Sequence, residues 1–182
     1  DWWGEIPSVP IPLDEDRYVA AIEIREINDV LDEDGKPSGR PTVGGRFIFH
    51  HMIWSTRVLD VTGDASESRS GDSQVSTGWP VHEVGRNPDV FDPDGGRLLK
   101  ANSSIFSNSI HLHSNGKDSK VHLEIGFRFH PKDYEPKYGS RITRLGNAVD
   151  IDIRAGEKDQ ELHAYTVLNA PTKIVTFEPH LH

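Results

Sequence analysis

RYVAAIEIREI, residues 17–27, decides how the rest of the chain is read. Val19, Ala21, Glu23 and Arg25 fall on one side of an extended chain, and Tyr18, Ala20, Ile22 and Ile24 on the other. A period of two is the signature of a strand. RFIFHHMIW, residues 46–54, is rich in aromatic and branched side chains and reads as a second strand. Further strand-like runs occur at NSIHLHS (108–114), VHLEIGFRFH (121–130), AVDIDIRA (148–155), LHAYTVL (162–168) and KIVTFEPHLH (173–182). Gly, Asn, Asp or Pro separates most of them, and no stretch carries a helical apolar period of useful length. The expected fold is all-β, an antiparallel β-sandwich of jelly-roll type.

The segments between these runs fit that expectation. DWWGEIPSVPIP holds two adjacent Trp and three Pro, so residues 1–13 read as an extended arm laid on a surface. DVLDEDGKPSGRP, residues 29–41, is a polar turn, with Asp32, Glu33 and Asp34 as solvated charge. Residues 60–78 are polar and without pattern, which predicts a long loop.

Composition narrows the function. The 182 residues are enough for one sizeable domain, and 16 Gly and 12 Pro suit a turn-rich β protein. A net charge of −9 argues against nucleic acid as the main partner, because phosphate binding needs a basic face. No apolar run is long enough to predict a transmembrane segment. The absence of cysteine removes disulfides, thiolate chemistry and Cys-ligated zinc. The chain opens at Asp1, which reads as a processed or trimmed product. No G-x-S-x-G, P-loop or Rossmann glycine pattern occurs.

Histidine is the outlier, with ten copies against one methionine, Met52. His50 and His51 are adjacent, and on a regular strand they face opposite sides. A shared metal therefore requires a bulge or twist at that point. The plainer reading of the pair alone is one core-facing and one solvent-facing histidine. His111 and His113 lie on one face of NSIHLHS, and His180 and His182 repeat the H-x-H spacing. One such pair is as easily a solvated face as a ligand pair. Three pairs without cysteine point to an all-imidazole metal site, which favours copper or zinc. His122, His130 and His163 read as surface or hydrogen-bonded singles, and His82 stands out among the singles because it lies in a loop. Asp150 and Asp152 share a strand face that reads as an exposed edge, and Asn102 begins a formal N-glycosylation sequon, NSS.

The order of these features resembles the copper type II, ascorbate-dependent monooxygenases, the family of peptidylglycine α-hydroxylating monooxygenase and dopamine β-monooxygenase. FHHMIW matches the family's adjacent His-His pair, LHSNG its later V-H-Y-G-like motif, and HLH near the end the H-x-H that opens its second copper site. The resemblance runs from about residue 16 to the end. It implies a copper-binding β-sandwich domain over 14–175 and the first strand of a second domain over 176–182, whose remainder lies outside this chain. It implies a first copper held by His50, His51 and His113, with His111 and His82 ranked behind them. A second copper would begin with His180 and His182. Copper and ascorbate are the implied cofactor and reductant, and a small molecule or peptide the implied substrate. The implied partner is the missing C-terminal domain, with an oligomer also compatible. A secreted, periplasmic or cell-surface location goes with the family. The chain departs from the family in having no cysteine, no downstream methionine ligand and an extra histidine at 111. The competing expectation is a structural or interaction module of an extracellular assembly, with the histidines binding metal for stability or binding none.

Overall fold

The structure is a computed structural model, and it describes residues 2–28, 48–58, 76–86, 88–114, 118–143, 145 and 153–179. These divide into two compact units, Asp1–Ser140 and Arg141–His182. All the regular structure among the described residues is β, and it lies in the first unit.

Strand β1 spans Trp2–Pro10, β2 Arg17–Asn28, β3 Phe49–Val58 and β4 Ser76–Gly78. Four two-residue strands follow, β5 (His82–Glu83), β6 (Asp89–Val90), β7 (Gly95–Gly96) and β8 (Leu98–Leu99). Then come β9 (Ser103–Leu112), β10 (Val121–Phe129) and β11 (Tyr138–Gly139). One sheet has the order β1-β9-β3-β4, with β5 also on β3, and a second has the order β10-β2-β6, with β8 also on β2. Every pairing in these two sheets is antiparallel. A small third sheet pairs β11 with β7 in parallel.

The alternation that predicted β2 is real, but it changes phase. Val19, Ile22 and Ile24 all join the buried core, which a strict period of two does not allow. The register with β10 explains it. Arg128 lies opposite Ala21 and Phe129 opposite Val19, so Ala20 is an extra residue on β2, and this bulge turns the strand over. In β10 the alternation holds without interruption, with His122, Glu124, Gly126 and Arg128 outward.

Both sheets contribute to one hydrophobic cluster. Val19, Ile22 and Ile24 come from β2, Phe49, Met52 and Trp54 from β3, and Ile110 from β9, joined by Trp79 and Leu99. Each large apolar side chain fully buried here contributes roughly 1.5–3 kcal/mol. The two tryptophans stack at 5.7 Å and keep their polar atoms satisfied. The Trp54 indole donates to the Pro80 carbonyl at 2.9 Å, and the Trp79 indole to the Thr56 hydroxyl at 3.0 Å.

Two expectations are corrected and one is made specific. Residues 2–10, expected as an extended surface arm, are extended and form strand β1 at the edge of the first sheet, with register breaks between Gly4 and Ile6 and between Ile6 and Val9. Proline has no amide to give to a ladder, so an edge strand with an interrupted register is where it is tolerated. Ser76–Gly78, expected inside a long loop, pair with β3. The runs at 162–168 and 173–182 form no strand among the described residues 153–179. Tyr165 and Val167 there are each 84% exposed, so these apolar side chains stay unburied. Residues 148–152, 60–75 and 29–41 lie outside the described residues.

Candidate metal centre

The site is built where β3 and β9 begin and end side by side. Phe49 lies opposite Leu112 and His51 opposite His111, so β3 spends two residues where β9 spends one. His50 is the extra residue. This is the bulge without which His50 and His51 would face opposite ways. The ladder continues beyond β9, as the His113 amide donates to the Ile48 carbonyl at 2.8 Å. Four imidazoles are thereby gathered from two adjacent strands.

Their rings are close. His50 stacks on His113 with centroids 4.3 Å apart and planes 9° apart, and meets His111 edge-on at 4.9 Å. His111 and His113 are 4.6 Å apart. His51 sits 5.3 Å from His50 and 5.2 Å from His111. One ring nitrogen from each of His50, His111 and His113 can be chosen so that all three lie within 4.8 Å of one another. Three imidazole nitrogens bound to one ion at 2.0–2.1 Å lie roughly 3.3–3.6 Å apart, so these rings would draw together to share a metal. Three neutral nitrogen donors with no thiolate and no carboxylate fit copper or zinc. His51 and His111 are buried, at 3% and 5% exposure, while His50 and His113 reach partway to solvent.

The backbone in front of His50 is fixed from the other sheet. Glu26, on β2, accepts the Ile48 amide at 2.9 Å and the Phe49 amide at 2.9 Å. Asn28 Nδ2 donates to the same carboxylate at 2.7 Å. A second support comes from a row of residues crossing the first sheet. Glu83 on β5 lies opposite His51, His51 opposite His111, and His111 opposite Trp3 on β1. Directly paired residues present their side chains on the same face, so a carboxylate, two imidazoles and an indole line up. The Trp3 ring lies on His111 at 3.8 Å and 14°, and meets His51 edge-on at 5.1 Å.

The structure therefore brings together His50, His111 and His113, with His51 alongside. His111, ranked second in the sequence, stands inside the group because it pairs directly with His51 across the sheet. His82, on β5, pairs with Met52 of β3 and is buried outside this group. Burial holds its pKa below the usual histidine value, against the pull of the Glu83 charge. His180 and His182 lie outside the described residues. Among the single histidines, His122 is exposed beside Glu124, and His130 stacks on Tyr134 at 3.8 Å. Sequence reasoning passed over Glu26 and Trp3. The signal for Glu26 was a carboxylate near the end of a buried strand, and for Trp3 an aromatic side chain in a stretch otherwise read as an arm.

Comparison with protein-family profiles, with curated proteins and with solved structures finds no match to this chain.

Proposed function

We propose that residues 1–140 form the electron-transfer copper domain of a copper-dependent monooxygenase-like protein. The observation that carries this is the convergence of His50, His111 and His113 on the bulge between β3 and β9. The order of the histidine motifs along the chain supports it, and the antiparallel sheets with their shared core are compatible with a jelly-roll β-sandwich. A bound copper would supply one-electron Cu(I)/Cu(II) chemistry at this position. The chain's part is to hold three neutral imidazoles on a rigid pair of strands, which keeps the ligand set similar in both oxidation states. The stacked rings of His50 and His113 would turn apart on binding, so that one nitrogen of each addresses a common centre.

In this reading a second domain, to which His180 and His182 contribute, carries the site for O₂ and C–H hydroxylation of a small molecule or peptide, with ascorbate as reductant and an exported location. No helix among the described residues is long and apolar enough to cross a membrane. The test is Cu(II) titration of the purified chain with metal analysis and EPR. One strongly bound copper per His50–His111–His113 cluster with a type II signal is expected. A well-folded protein that takes up no copper would replace this reading with that of a structural or interaction β module.

A further inference from the structure

Trp3 occupies an unusual position for a tryptophan. It is 55% exposed, so core burial does not account for its placement. It nevertheless lies parallel on the His111 ring at 3.8 Å, while His50, His51 and His113 meet that ring at steep angles. The backbone arranges this contact. β1 pairs with β9 so that Trp3 is directly opposite His111, and the register breaks only after Gly4. At the neighbouring Gly4 a Cβ would meet the end of the exposed Trp2 indole, which lies across it.

We propose that Trp3 is a positioning residue of the metal centre: its indole fixes the plane of the His111 imidazole and shields one face of the site from water. This rests on the reading of His50, His111 and His113 as metal ligands. An imidazole binds a metal in its own ring plane, so a ligand free to turn about χ2 loses the bound geometry and entropy is spent restoring it. A flat ring stacked on the imidazole removes that freedom before the metal arrives. Edge-on contact with His51 adds a second constraint on the indole. Outer partners that orient a ligating histidine typically change metal affinity by roughly 10–100-fold when removed.

The experiment measures Cu(II) affinity by competition with a calibrated chelator, on the whole chain, for wild type and for Trp3→Ala, Trp3→Leu, Trp3→Phe and Trp2→Ala. Circular dichroism reports whether each variant is folded. Trp3→Ala and Trp3→Leu are expected to bind at least about tenfold more weakly. Trp3→Phe should retain most of the affinity because it keeps a flat ring, and Trp2→Ala should match wild type. Cu(II) should also quench the tryptophan fluorescence of wild type much more than that of Trp3→Phe. Equal affinity of folded Trp3→Leu and Trp3→Phe overturns the proposal, and this pair decides the matter even where Trp3→Ala does not fold. Copper binding by wild type with no effect of any Trp3 variant overturns the positioning role alone. No copper binding by wild type overturns the metal-centre reading and this proposal together.

Discussion

The carboxylate of Glu26 on β2 receives the amides of Ile48 and Phe49, the two residues directly before His50 on β3. A side chain of one sheet thus sets where a strand of the other begins, one residue ahead of the histidine bulge. Replacing Glu26 by Ala would leave two amide donors without their charged acceptor. A loss of about 1.5–3 kcal/mol in unfolding free energy is expected, together with weaker metal binding, because His50 would lose its fixed approach. Urea denaturation with and without Cu(II) measures both. An unchanged midpoint would show that the Glu26 bonds are not what holds the start of β3.

The histidine cluster makes a prediction that separates two ligand sets. If His50, His111 and His113 hold the metal, single changes of each to Ala abolish stoichiometric copper binding. His51→Ala should then keep the stoichiometry and lose some affinity. If the set is His50, His51 and His113, the outcomes for His51→Ala and His111→Ala exchange. Metal analysis after gel filtration reads the difference directly.

Metal binding should stabilise the fold, because the unfolded chain does not hold the three imidazoles together. At a free Cu(II) concentration about one hundred times the dissociation constant, the gain is about 2.7 kcal/mol. The corresponding rise in thermal midpoint should vanish on chelation and be absent in His113→Ala. An equal rise in that variant would place the copper elsewhere.

Met52 is 1% exposed at the centre of the core, between β3 neighbours Phe49 and Trp54. Met52→Ala is expected to cost about 2–5 kcal/mol by leaving a cavity between the two sheets. Differential scanning calorimetry in the presence of a chelator tests it. A loss well under 1 kcal/mol would mean that the site collapses around the smaller side chain.

His82 supplies a pH dependence independent of metal. Burial disfavours its imidazolium, so its folded pKa lies below the ordinary 6.5. As pH falls through that value the unfolded chain takes up a proton that the folded chain does not. Stability therefore declines from about pH 6.5 down to the lowered folded pKa, and this contribution is level above that window. Thermal midpoints between about pH 8 and about pH 5, with chelator present, should fall less steeply in His82→Leu than in wild type. Identical slopes would remove His82 as the cause.

The sequence by itself determined the class of fold and the residues from which a site could be made. Alternation in 17–27 and 121–129 and the branched and aromatic run at 46–54 required strands, because only a pleated, half-buried surface suits that pattern. The histidine pairs offered candidate metal ligands through residue type alone. Only the tertiary structure decided which imidazoles meet. His50 turns toward His111 because of one extra residue on β3, and His111 pairs with His51 because of strand register. A bulge shifts side chains between faces without changing composition, so it leaves no mark in a linear pattern. The same holds for Glu26 and Trp3, which act on the site from strands distant in sequence, through a carboxylate bridge and a ring stack. The runs at 162–168 and 173–179 show the converse. Their strand-like composition is not matched by strand pairing among the described residues, since a sheet needs a partner as well as a pattern.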